Sequence, residues 1–385
     1  MDEKKIQQIL IEIVHSVLNE VEDNASLKQK LTPDILPSVC ALAKKYDLAH
    51  IVSDFVYRNG IEAESKLLET LQREEIMSVY RCEQMKHAQE EICGIFDEAR
   101  IPHIPLKGAV LRSYYPYESM RTSCDIDILV RESDLEGAIK CLEGKGYRCG
   151  ERRYHDVSLY SPNNVHLELH FNIQENEDHL DAVLKDVWQY ATLVSGSRYE
   201  LTKEFFVFYT YAHMEHHFLW GGCGLRAFID IWVMEHKMDA SYSCAEELLK
   251  KADIYDFAVE MSRISNKCFT EGTQDSFAEL VLKYICDGGL YGSMENHIAV
   301  YRSRKNNFLC YLAERLFAPY RHMVIRYPIL KKAPILLPIY WIARCAETIF
   351  KRKTKRISSE ISFVNGVSSA KVEEAKEIRM RMGLK

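Results

Sequence analysis

Asp125 and Asp127 stand two residues apart in the stretch Met120-Arg121-Thr122-Ser123-Cys124-Asp125-Ile126-Asp127-Ile128-Leu129-Val130. Acid and apolar residues alternate from Asp125 onward. In a β-strand this period puts both acids on one face and Ile126, Ile128 and Val130 on the other. The Cα atoms of the acids are then about 6.5–7 Å apart, a spacing at which one cation can bridge the carboxylates. Without a cation or a proton between them the two acids repel. A half-exposed strand with two solvated acids gives the same pattern, so the flanking residues have to decide.

A second alternating stretch runs Val165-His166-Leu167-Glu168-Leu169-His170-Phe171-Asn172-Ile173. Its apolar residues share one face, and His166, Glu168, His170 and Asn172 share the other. An acid between two histidines on a flat face suits a metal or a proton-transfer site. Upstream, Ile104-Pro105-Leu106-Lys107-Gly108 reads as a short strand entering a turn, with helical character from Ala109. Gly108 allows close backbone approach, the following helix start offers N–H groups to an anion, and Lys107 adds positive charge. Arg121 and Ser123 precede the acids; the arginine could bind phosphate or neutralise Asp125. If the two alternating strands are neighbours, Asp125, Asp127 and Glu168 form a three-carboxylate cluster that needs divalent metal to be stable. Two ions roughly 3.5–4 Å apart would serve phosphoryl or nucleotidyl transfer. An oxygen-only donor set suits Mg²⁺ or Mn²⁺ and not zinc.

The elements that must position these residues follow from periodicity. Residues 1–98 read as helical, with Ile6, Leu10, Ile13, Val14 and Val17 in one stripe and a long helix from Glu62 to Ala99. Residues 99–200 hold the strands. Residues 201–326 return to helices. There His213, His216 and His217 share one helix face, which reads as lining an acceptor or base pocket. Arg226 and Asp230, four apart, could pair with each other or face a cleft. Residues 327–385 form an apolar and basic terminal segment. Its stretch 327–356 could dock on an anionic membrane surface or pack as a terminal helix.

The 385 residues suffice for a large core in two or three units. A net charge of −6 excludes a global basic field that would recruit nucleic acid. Twelve cysteines without a CxxC pair, and a charged start without an apolar signal core, point to a reducing cytoplasm.

At Leu106-Lys107-Gly108, Arg121, Asp125-Ile126-Asp127 and Leu167-Glu168-Leu169-His170 the sequence resembles the nucleotidyltransferase superfamily that includes DNA polymerase beta and the aminoglycoside nucleotidyltransferases. More closely it resembles the bacterial "uncharacterised nucleotidyltransferase" family. The motifs cover about residues 100–175, and the likeness continues through His213, His217, Leu225-Arg226 and Asp230. One departure stands out: the superfamily's Gly-Ser pair is Gly108-Ala109 here, so Lys107 is left to replace the serine's phosphate contact. The resemblance implies an α+β fold, a small mixed sheet flanked by N-terminal and C-terminal helical regions. It implies Asp125, Asp127 and Glu168 as catalytic and metal-holding residues for Mg²⁺ or Mn²⁺. Lys107, Gly108, Arg121, Ser123, His170, His213 and Arg226 would contact the NTP. The implied reaction moves an NMP group to an acceptor hydroxyl or phosphate, first of all on a small molecule, and releases pyrophosphate. The alternatives are a toxin-like enzyme acting on RNA, tRNA or protein, and a nucleotide-binding scaffold without turnover.

Overall fold

The computed structural model describes residues 3–271, 275–289, 292–304, 316–350 and 366–384. Four short helices, α1 (Glu3–Leu18), α2 (Ala25–Lys30), α3 (Leu36–Lys45) and α4 (Ala49–Arg58), precede the 34-residue α5 (Ser65–Glu98). Pro37 sits in the first turn of α3, where its missing N–H costs nothing. The buried positions of α5, Leu71, Ser78, Cys82, Met85, Ala88, Ile92, Ile95 and Phe96, recur at helical spacing. Ile76, Val79 and Tyr80 lie off that stripe and are exposed.

The fold is α+β, built on a mixed seven-stranded sheet of order β3-β4-β5-β2-β1-β7-β6. Its strands are β1 (His103–Pro105), β2 (Asp125–Val130), β3 (Arg148–Arg152), β4 (Asp156–Tyr160), β5 (His166–His170), β6 (Ala191–Ser195) and β7 (Arg198–Leu201). The sheet exceeds the expected small core by the β6–β7 hairpin, whose Leu193 and Val194 are exposed and whose pattern does not alternate. Between β1 and β2 lies the five-residue α6 (Lys107–Leu111). Helix α7 (Leu135–Gly144) links β2 to β3, and α8 (Asp178–Leu184) follows β5.

The two acid-bearing strands are direct neighbours. β2 and β5 run parallel, with Asp125 opposite His166, Asp127 opposite Glu168 and Leu129 opposite His170. Parallel strands buried on one face must alternate as these do. Ile126, Ile128, Val130, Leu167 and Leu169 enter an apolar cluster with Met85, Ile92 and Phe96 of α5 and Leu135, Ala138 and Leu142 of α7. That burial fixes the register, and the register sends the acids and histidines to the opposite face. A one-residue slip would move every acid into this cluster.

On the polar face stand α9 (Lys203–Leu219) and α10 (Gly224–His236), followed by α11 (Glu246–Lys251), α12 (Tyr255–Asn266), α13 (Ser276–Gly288) and α14 (Met294–Arg304). α9 is apolar around most of its circumference, as a helix enclosed by others must be. These helices and α1–α4 share one continuous apolar cluster, which also takes in Ala375 and Ile378 of the helix Ser369–Arg381. A separate small cluster of Met323, Val324 and Leu330 packs with Tyr340 and Trp341 of the helix Leu337–Phe350. Among the described residues no helix is long and apolar enough to cross a membrane. The basic run 351–356 lies outside the described residues.

Candidate active site

A cavity of about 410 Å³ opens where β2 and β5 face α9 and α10. That volume is in the range of small-molecule sites. The residues expected to hold metal or NTP all line it, Lys107, Gly108, Arg121, Ser123, Asp125, Asp127, Glu168, His170, His213 and Arg226, whereas His166 and Asn172 of the second alternating stretch do not.

The carboxylates come together through the strand register. Ligand atoms of Asp125, Glu168 and His166 lie within 4.8 Å of one another, and so do those of Asp127, Glu168 and His170. Glu168 is thus shared by two groups, one around each aspartate. Each group includes a histidine, so the oxygen-only donor set expected from the acids is enlarged by imidazole nitrogen. Burial, then the charges of Asp127 and Glu168, push the Asp125 carboxyl up to about 7. Burial also works to raise Asp127. The hydrogen bond from His170 Nε2 to its Oδ1 at 3.1 Å and the charges of His170, His213 and Lys107 outweigh burial and hold it below the usual carboxylate range. Glu168 Oε1 accepts from Arg153 Nη1 at 2.9 Å.

The Lys-Gly turn is tied to the acid strand, because the Leu106 N–H donates to the Asp127 carbonyl at 2.9 Å. Lys107 Nζ lies over the Tyr209 ring of α9, 4.9 Å from its centroid. Burial pushes this ammonium down to about 7, against the pull of Glu175, Asp127 and Asp230. Gly108 has a steric reason to lack a side chain. A Cβ there would lie 3.0 Å from Arg121 Nη1.

Arg121 has a partner the sequence did not suggest. It grips Asp230 of α10 with two bonds, Nε to Oδ1 at 2.8 Å and Nη2 to Oδ2 at 2.9 Å. Tyr115 donates to the same Oδ1 at 2.6 Å. Burial works to lower the guanidinium pKa, but Asp230 raises it well above its ordinary value. Arg121 is therefore committed to the wall of the cavity, and the Arg226–Asp230 pair weighed above does not form. Arg226 Nη1 instead donates to the Thr122 carbonyl at 2.8 Å and lies 3.8 Å from Asp47. Ser123 Oγ accepts from Arg112 at 2.8 Å.

His213, His216 and His217 face the cavity together from α9. His213 Nδ1 donates to Glu175 at 2.8 Å, and His216 Nε2 lies 3.7 Å from the same carboxylate. Burial followed by the charge of Lys107 lowers the His213 pKa despite Glu175. Burial raises Glu175, but His213 and His216 more than reverse it.

Sequence reasoning missed Glu175, Arg153, Tyr209 and Asp156. Glu175 sits on the loop after β5, where no period marks it; its N–H is held by Asp181 at 2.8 Å. Asp156 opens β4 directly opposite His170, and an acid at the start of a strand with no alternating partner gives no signal by itself.

Searches of curated proteins and of solved structures found no match. The sequence profile of the family described as uncharacterised nucleotidyltransferase matches residues 36–270, more than half the chain. The matched span runs from the start of α3 to just past α12 and holds every residue of the cavity described above, and on that match the chain belongs to the uncharacterised nucleotidyltransferase family.

Proposed function

We propose that this chain transfers an NMP group from an NTP to the hydroxyl or phosphate of a small-molecule acceptor, with release of pyrophosphate, and that it needs a divalent cation to do so. Family membership supports nucleotidyl transfer in general. The observation that carries the finer reading is the β2–β5 register, which gathers Asp125, Asp127 and Glu168 beside Lys107 in one cavity.

The residues fit a divalent cation. Three carboxylates crowd together, and Asp125 holds its proton up to about 7 because the charges of Arg226 and His170 offset only part of its burial and its neighbours' charge. Asp125, Asp127 and Glu168 would hold Mg²⁺ or Mn²⁺, which when bound neutralises charge on phosphate oxygens and on the departing pyrophosphate. Lys107 and Arg226 hold the triphosphate; Gly108 lets its backbone approach. Glu168, with one oxygen fixed by Arg153, takes the acceptor proton on the other. His213 Nε2 accepts a hydrogen bond from the base or the acceptor, on a ring whose orientation Glu175 sets. Positioning and charge stabilisation carry the rate. The cavity sets five carboxylates against five Lys and Arg side chains, a balance that favours a small acceptor over RNA. Incubation with α-labelled and γ-labelled NTPs tests the reaction class. The α label is expected to pass to the acceptor and the γ label to pyrophosphate. Transfer of the γ label to the acceptor would mean a kinase and would overturn the reading.

The terminal segment supports a peripheral membrane contact. Ile335, Ile339 and Ile342 are exposed beside Lys331 and Lys332, and a basic run follows in the sequence. Co-sedimentation with phosphatidylserine vesicles and not with phosphatidylcholine vesicles is the expected result; equal absence from both would end this reading.

A further inference from the structure

His170 is buried, hydrogen-bonds Asp127 through Nε2, and lies with the same nitrogen 3.9 Å from Glu168. Donor atoms arranged around one octahedral ion at about 2.1–2.2 Å are about 3 Å apart when adjacent and about 4.3 Å apart when opposite. The separations of 3.1 and 3.9 Å fall between these limits. The other ring nitrogen, Nδ1, is buried with no hydrogen-bond partner among the described residues. Across the strand pair, Asp156 stands directly opposite His170, so the two side chains share a face about 5 Å apart at Cβ. Asp156 is wholly buried, and neither of its oxygens makes a hydrogen bond among the described residues. Its nearest ionic neighbours are His155 Nε2 at 3.1 Å and Arg153 at 3.6 Å. A buried imidazole nitrogen and a buried carboxylate on the same face of adjacent strands, neither with a hydrogen bond, are a costly arrangement that a ligated histidine would use.

We propose that His170 is itself a metal ligand, donating from Nε2 while Asp156 receives its Nδ1–H, so that the Asp127–Glu168–His170 group binds a cation with mixed nitrogen and oxygen donors and selects Mn²⁺ over Mg²⁺. This rests on the cation-binding reading above. Imidazole nitrogen is a good donor for first-row transition ions and a poor one for Mg²⁺, which prefers oxygen. Asp156 fixes the tautomer and the ring, as outer-shell carboxylates do for ligating histidines. His155, whose ring lies 5.4 Å from that of His170, and Arg153 are the titratable and charged groups facing this pair from the turn before β4.

The test uses the full chain with Mn²⁺ alone, read by electron spin resonance, so that it does not depend on turnover. In the native protein ¹⁴N modulation of the bound Mn²⁺ signal is expected. His170→Asn is expected to abolish that modulation and to weaken Mn²⁺ binding roughly tenfold to a hundredfold, with a smaller loss for Mg²⁺. Asp156→Asn is expected to weaken Mn²⁺ binding about tenfold while the ¹⁴N modulation survives. Unchanged circular dichroism and thermal midpoint would show that each variant is folded. Bound Mn²⁺ without ¹⁴N modulation, or modulation that persists in His170→Asn, would overturn this inference and leave the carboxylate site intact. No Mn²⁺ binding by the native protein would remove both.

Discussion

Asp125 is the residue whose chemistry is most exposed to pH. Its folded pKa, about 7, lies above its unfolded value of about 4. Without a cation, the stability linked to this proton is fully present below about pH 4 and is lost as pH rises to about 7. A divalent cation held there, as proposed, would compete with the same proton, so its affinity would rise with pH through about 7 and then level. The thermal shift produced by saturating Mn²⁺ is therefore expected to grow between pH 6 and pH 8. A shift independent of pH over that range would take Asp125 out of the cation site. Lys107 makes the complementary case. Its ammonium is held at about 7 by burial, so a triphosphate that brings negative charge to it also raises its protonation. Lys107→Ala is expected to weaken NTP binding about tenfold in an equilibrium titration. An unchanged dissociation constant would separate Lys107 from the nucleotide.

At the scale of elements, what could be read from the sequence was whatever repeats along one strand or helix. The period-two stretches at Asp125–Val130 and around His166–His170 became β2 and β5, and the histidines four apart became one face of α9. Pairings between distant segments could not be read, because they depend on packing and not on spacing. Arg121 is the instructive case: its partner Asp230 is 109 residues away, and of the two roles the i, i+4 spacing left open for Asp230, pairing with Arg226 is the one it does not take. This buried bidentate pair fastens the loop before β2 to α10. Arg121→Ala is expected to cost about 3–5 kcal/mol in denaturant unfolding, because it strands a buried carboxylate. A loss under about 1 kcal/mol would mean the pair is solvated. The glycine junction between α9 and α10 was also invisible as a contact. Gly221 has φ +117°, and a Cβ there would lie 2.5 Å from the Ser293 carbonyl. Gly221→Ala is expected to destabilise by more than the roughly 1 kcal/mol of a simple glycine replacement.

Across the whole molecule, the helical segments on either side of the sheet are parts of one scaffold for the cavity. α1–α4 share their apolar cluster with α9–α14. Three polar contacts carry that packing to the loop bearing Arg121 and Ser123. His50 donates to the Met120 carbonyl at 3.0 Å, Thr122 donates to Asp47 at 2.6 Å, and Arg226 lies between Asp47 and Thr122. The N-terminal helices thus hold one edge of the cavity, a role no spacing in residues 1–98 announces. The central claim is that the carboxylates gathered by β2 and β5 carry out nucleotidyl transfer. It is tested most directly by pyrophosphate release from each of the four NTPs with Mg²⁺ or Mn²⁺, comparing the native chain with Asp127→Asn. At least one NTP is expected to give release that the substitution lowers by a hundredfold or more, with the thermal midpoint little changed. Equal release from the folded Asp127→Asn protein would contradict the account.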